Sequence, residues 1–117
     1  MGSDSHAEAL LAHLMETQFV AVAEADGTPV GLIAGAVQPH PFNPTLRMAT
    51  ELWWWVTPPA RHSRAGLALL NAYDEWADSV ADLKGMTLEV ASPVNPDTLL
   101  RRGYQLAEYQ YIAEVGR

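Results

Sequence analysis

The spacing of hydrophobic and polar positions changes several times along the chain, and each change marks a predicted element. Ala7, Leu10, Leu11, Leu14 and Met15 recur at helical spacing, and Ser5 with Glu8 three residues later fits a capping box, so a helix is expected from Ser5. Phe19 to Glu24 reads as a strand. Ala25-Asp26-Gly27-Thr28 then supplies turn residues before Val30 to Val37 resumes the strand pattern, which predicts a hairpin. Gly31 and Gly35 inside the second strand point to a bulge or a close backbone approach. Pro39, Pro41, Asn43 and Pro44 make Gln38 to Thr45 a surface loop.

Met48 to Val56 carries three consecutive tryptophans and large residues at neighbouring positions, as expected of a central strand buried on both sides. Simple alternation puts Glu51, Trp53 and Trp55 on one face and Leu52, Trp54 and Val56 on the other. Thr57-Pro58-Pro59 ends the strand. From Ser63 the period becomes helical, with Gly66, Leu69, Leu70, Tyr73, Trp76, Ala77 and Val80 along one side of the longest helix. Lys84-Gly85 breaks that helix, Met86 to Val90 is expected as a strand, and Asn95-Pro96-Asp97 opens a short helix that ends at Gly103. Tyr104 to Val115, rich in Tyr, Val and Ile, reads as a last strand or a bent pair. The predicted order is α-β-β-β-α-β-α-β, without internal repeats.

Composition narrows the function classes. A chain of 117 residues, 49% hydrophobic and 18% charged, suits one α/β domain over residues 5–117, with Met1 to Asp4 a flexible or appended N-terminus. No apolar run is long enough to span a bilayer and no signal-peptide pattern is present, so a cytoplasmic protein without a membrane partner is expected. The absence of cysteine excludes disulfides, thiolate nucleophiles and sulfur-ligated zinc. A net charge of −7 disfavours nucleic acid as a partner and weakly favours a cationic substrate. His6, His13, His40 and His62 are scattered with no close pairing of ligands, and no metal site is expected.

The most informative stretch runs from Trp55 to Leu70. An apolar strand enters a short basic loop with Arg61 and Arg64 and then a helix, so free amides and the helix dipole converge where a phosphate or pyrophosphate would be held. An ordinary strand-loop-helix corner with solvated arginines fits the local pattern equally well.

This run resembles the acetyl-CoA signature of the GNAT N-acetyltransferase superfamily, an apolar strand, V-x-P, then (Q/R)-x-x-G-x-(G/A) and a Leu-rich helix. Arg61 stands at the first signature position and Gly66 at the last, while Arg64 replaces the middle glycine. The element order from Ser5 onward also resembles the family, without its usual first strand and helix, as in short phage-type members. The resemblance implies a GNAT-like mixed, mostly antiparallel sheet flanked by helices, and direct transfer of an acetyl group from acetyl-CoA to an amine. It implies cofactor contacts at Trp55, Val56, Thr57, Arg61, His62, Ser63, Arg64, Ala65 and Gly66, with Asn95 as a further loop contact.

For the chemistry, the resemblance makes Glu51 the candidate base, since a carboxylate in an aromatic strand should carry a raised pKa; a strand-edge or ion-paired glutamate is the plainer reading. The family's usual acid is a tyrosine where this chain has Leu99, so Tyr104, or else Tyr109 or Tyr111, is the candidate replacement, each also readable as a packing aromatic. Helix capping alone would explain Asn95. His40 and Phe42 are candidates for the rim of an acceptor pocket, against a plain surface loop. Arg64 and Leu99 also support a catalytically lapsed module that binds CoA or a protein partner, and an unrelated small α/β domain is the third reading. An exposed strand edge would allow a homodimer.

Overall fold

A computed structural model describes residues 18–61, 63–90 and 92–116. The helix expected from Ser5, together with Met1 to Asp4, His6, His13 and His62, lies outside the described residues. The chain divides after Thr87 into two compact units, taken separately below.

The first unit is built on a four-stranded sheet in the order β1 (Phe19–Ala25), β2 (Thr28–Pro39), β3 (Arg47–Val56), β4 (Leu83–Gly85). The first three strands form an antiparallel meander and β4 joins β3 in parallel. Asp26 and Gly27 close the first hairpin with φ of 53° and 81°, the two positive values that a tight turn matched to strand twist requires. A parallel strand needs a crossover, and helix α1 (Ala65–Val80) provides it.

α1 lies on one face of the sheet and buries Leu69, Leu70, Tyr73 and Ala77 against Ile33 and Ala49. The two glycines of β2 make this packing possible. A Cβ on Gly31 would lie 3.0 Å from Leu69 Cδ1, and one on Gly35 would lie 2.9 Å from both Tyr73 Cε1 and Trp76 Cζ3. Phe19 of β1 stacks on Trp76 with ring centroids 4.8 Å apart. Both sequence readings of the glycines hold, because the β2–β3 register also shifts between Ala34 and Gly35.

That shift corrects the alternation expected of β3. Ala34 faces Trp53 and Gly35 faces Glu51, so Leu52 is a surplus residue, a bulge. Directly opposed residues share a face, and Gly31, Ile33 and Gly35 face α1, so their partners Val56, Trp54 and Glu51 do too. Trp53 and Trp55 lie on the other face, 38% and 52% exposed, and β3 is therefore not buried on both sides as expected.

The strand expected at Met86 to Val90 also differs. Pairing occurs earlier, from Met48 opposite Leu83 to Thr50 opposite Gly85, and residues 86–89 are irregular. The register is fixed where the strands begin: Asp82 N–H donates to the Arg47 carbonyl (2.9 Å) and Arg47 N–H to the Asp82 carboxylate (2.8 Å). Lys84-Gly85, read from sequence as a helix breaker, lies inside the strand, and a Cβ on Gly85 would sit 2.9 Å from Met48 Cε.

The second unit, from Leu88, contains the short helix α2 (Asp97–Leu100) with Leu99 buried. Asn95 Oδ1 accepts the Asp97 N–H at 3.0 Å. Gly103, with φ 92°, closes the C-terminal turn, where its N–H reaches the Leu100 carbonyl and Tyr104 N–H reaches that of Leu99, both at 3.1 Å. The last strand expected over Tyr104 to Val115 is not formed: the segment is irregular and has no strand partner among the described residues. No helix of the described residues is long and apolar enough to cross a membrane.

Candidate functional site

The free edge of β3 is the first component of the site. β4 pairs with β3 only as far as Thr50, so from Glu51 to Val56 the outer edge of β3 has no strand partner among the described residues. Thr57 N–H donates to the Val30 carbonyl at 2.8 Å. Opposed pairs alternate between hydrogen-bonded and not, so Trp55 is bonded to β2 while the main-chain groups of Trp54 and Val56 point outward. Arg61 Nε donates to the Val56 carbonyl at 3.0 Å, consistent with that direction. Of Trp55, Val56 and Thr57, only Val56 therefore offers an outward amide, and Trp54, which the sequence did not single out, stands beside it.

The second component follows directly. A single 3-10 turn (Pro58–Ala60) leads through Arg61 to Ser63, whose Oγ donates to the Ala60 carbonyl and accepts the Ala65 N–H at 3.2 Å. The remaining first-turn amides of α1 lack intrahelical acceptors, and the helix dipole is positive there. Arg61 and Arg64 are exposed beside them. Arg64 has φ −81° and ψ 0°, a conformation open to any residue, so an arginine at the signature glycine position leaves the loop unstrained. A Cβ on Gly66 would meet nothing closer than Val56 Cγ2 at 3.8 Å, so the fold itself does not require glycine there.

Glu51 is the third. It is half-buried on the α1 face, and its Oε1 accepts the Thr87 N–H at 3.2 Å. Burial raises its pKa above the usual carboxylate range, and the Thr87 hydrogen bond offsets part of that rise. Tyr73 is wholly buried and its hydroxyl donates to the Gly85 carbonyl at 2.8 Å. Burial, then the nearby charges of Glu51 and Asp74, push its pKa far up, so the hydroxyl remains protonated. Trp54 Nε1 is buried without a hydrogen-bond partner among the described residues.

The remaining candidates lie elsewhere. Asn95 and Tyr104 belong to the second unit, where Asn95 starts α2 and the Tyr104 amide helps to close it. Tyr109 and Tyr111 are exposed. His40 Nδ1 accepts the Phe42 N–H at 3.2 Å, and Phe42 is 94% exposed at the loop tip. A shallow pocket of about 200 Å³, lined by Gln18, Val37, Arg47, Trp76 and Val80, lies beside the C-terminal half of α1 and includes neither Arg61 nor Arg64. No group of three or more His, Asp or Glu side chains able to hold a metal occurs among the described residues.

An open strand edge running into a basic turn and an unfilled helix start defines a protein suited to an elongated anionic ligand. Residues 3–103 match the model of the Acetyltransferase (GNAT) family, and the chain belongs to that family. No curated protein matches it in sequence. Many solved structures share the fold, three of them as follows. A GCN5-related N-acetyltransferase from Ralstonia eutropha JMP134 is 24% identical, with a TM-score of 0.70, over 97% of this chain and 76% of that one. A structure described as a transcriptional regulator from Bacillus halodurans C-125 is 17% identical, with a TM-score of 0.75, over 94% and 75%. AAC(6')-Iy in complex with a bisubstrate analog, CoA-S-monomethyl-acetylneamine, is 13% identical, with a TM-score of 0.71, over 95% and 79%. At these identities the likeness is one of fold.

Proposed function

We propose that this protein transfers the acetyl group of acetyl-CoA directly to an amine, with Glu51 accepting the proton that the amine loses. Gly66 carries the reading. The fold leaves room for a side chain at this position, and a glycine at an open helix start is then best explained by a ligand that approaches the backbone. The first-turn amides of α1, with Ser63, Arg61 and Arg64, would hold the pyrophosphate, while the outward main chain of Trp54 and Val56 would bind the amides of the pantetheine arm. Bound acetyl-CoA supplies an activated thioester.

The rest of the chemistry belongs to the chain. The amine must be neutral to attack, and a half-buried carboxylate with a raised pKa is a stronger base than an exposed one. As the C–N bond forms and the C–S bond breaks, the sulfur leaves as a thiolate that takes up a proton, and Tyr104 is the proposed donor. His40 and Phe42 are proposed for the acceptor side.

Calorimetric titration with acetyl-CoA, with dephospho-CoA and ATP as weaker mimics, tests the binding part. Saturable binding that prefers acetyl-CoA is expected, and none at millimolar ligand would refute it. An amine screen then tests turnover, with Glu51→Gln expected to lower kcat most at neutral pH. One observation favours a second reading: Leu99, at the position where the family's usual acid would be, is a buried core residue. Acetyl-CoA binding without turnover of any amine would establish a lapsed, CoA-binding module instead.

A further inference from the structure

Among the described residues Tyr73 is the largest of the wholly buried side chains, and its hydroxyl is directed to one main-chain atom, the Gly85 carbonyl oxygen, at 2.8 Å. A phenylalanine would fill nearly the same volume, and a buried hydroxyl is costly unless it is bonded, so the bond to Gly85 is what distinguishes tyrosine here. Gly85 is also the last residue of β4 to pair with β3. Two residues further on, outside the ladder, the Thr87 N–H donates to Glu51 Oε1 at 3.2 Å.

We infer that Tyr73 is a positioning residue for Glu51: by holding the Gly85 carbonyl it fixes the exit of β4, so that the Thr87 amide meets the Glu51 carboxylate. The inference rests on the reading of Glu51 as the proton acceptor. Three features of the first unit converge on it. Glu51 stands opposite Gly35, whose missing side chain lets the Tyr73 ring approach the sheet, with Cε1 only 2.9 Å from where a Cβ would be. Lys84 Nζ, one residue before Gly85, is held by Asp74 at 3.2 Å and Asp78 at 2.8 Å, so α1 grips β4 from the side next to Tyr73. Among the described residues the ladder gives no hold beyond Gly85, which leaves the Tyr73 hydroxyl as the last tie before Thr87.

Among the described residues, the charged and titratable groups around Glu51 are few. Tyr73 faces it from α1 and remains protonated, and Asp74, the next residue of that helix, is paired with Lys84 of β4, which also binds Asp78. The Thr87 N–H favours the charged carboxylate and opposes the effect of burial. Loosening the β4 exit should therefore move the titration of Glu51 to higher pH.

The test compares the wild type with Tyr73→Phe and Thr87→Pro, which remove the hydroxyl and the amide respectively. The carboxyl 13C signal of Glu51, assigned by its loss in Glu51→Gln, is followed against pH in the free protein. Both variants are expected to shift the titration upward, and the double variant to shift it no further than either alone. The acidic limb of kcat/KM, measured with acetyl-CoA and an acceptor amine, should move by the same amount, with KM for acetyl-CoA unchanged. A shift in Thr87→Pro but not in folded Tyr73→Phe overturns the inference, as does a Tyr73→Phe shift that adds to that of Thr87→Pro. Matching carboxyl shifts with an unmoved rate profile would uphold the positioning role and refute Glu51 as the base. Should Thr87→Pro fail to fold, an unchanged Glu51 titration in Tyr73→Phe is by itself decisive against it.

Discussion

Glu51 and Gly35 stand opposite each other across the β2–β3 ladder, on the face that α1 covers. The absent side chain of Gly35 is therefore a condition for the Glu51 environment as well as for helix packing. A Cβ there would lie 2.9 Å from two aromatic side chains and 3.3 Å from the Thr50 carbonyl oxygen. Gly35→Ala is expected to destabilise the protein by about 1–3 kcal/mol, the usual cost of overpacking. A denaturant melt with unchanged midpoint would show that the helix yields without cost.

Gly66→Ala should behave in the opposite way. Its Cβ would make an ordinary contact with Val56 Cγ2 at 3.8 Å, and alanine reduces the freedom of the unfolded chain, so stability should rise by roughly 0.4–1 kcal/mol. Acetyl-CoA affinity, read by calorimetry on the same sample, should fall. A gain in stability with unaltered affinity would remove Gly66 from the ligand site.

Arg64 tests whether the departure from the family signature contributes to binding. Arg64→Ala is expected to weaken acetyl-CoA binding about five-fold at low salt, ~1 kcal/mol, with the difference shrinking as salt screens the charge. Tighter binding by Arg64→Gly than by the wild type would mean that the arginine hinders the ligand.

The pKa of Glu51 makes stability depend on pH with a definite sign. Because burial raises it, the folded state binds more protons than the unfolded state between the ordinary and the raised value, and stability falls as pH climbs through that window. Glu51→Gln keeps an oxygen for the Thr87 amide and does not titrate. Its melting temperature minus that of the wild type should therefore grow from pH 4 to pH 7, and a difference that stays flat would show that burial leaves Glu51 unperturbed.

Local chemistry made much of the fold legible. Asp26-Gly27 specified its turn and the glycines of β2 signalled the approach of α1, while Pro41, Asn43 and Pro44 marked the β2–β3 loop, which begins later than expected because Gln38 and Pro39 still pair with Met48 and Arg47 in the ladder. The basic turn at Arg61 to Gly66 was legible for the same reason, since a strand, a breaker and a helix start have distinct residue preferences. What the sequence concealed depends on pairing. The tryptophan run looked like a doubly covered strand because hydrophobicity records only a residue's preference, and the exposure of Trp53 and Trp55 depends on what covers their face. β4 was expected too late in the chain because its register is fixed by the reciprocal contact of Arg47 and Asp82, whose partners lie far apart in sequence. Thr87 and Tyr73 escaped notice as neighbours of Glu51 because one acts through an amide, which every residue but proline carries, and the other read as core.

The surplus residue in β3 changes how this protein should be aligned with its relatives. Leu52 behaves as an insertion, so a relative with an unbroken strand would run one step out of phase on one side of it, and a column-by-column comparison would match Glu51 to a residue on the wrong side of the sheet. Loss of the codon for Leu52 would restore regular alternation, with Glu51 still opposite Gly35 and Trp53 still opposite Ala34, so the face that each residue presents would survive a change of length here.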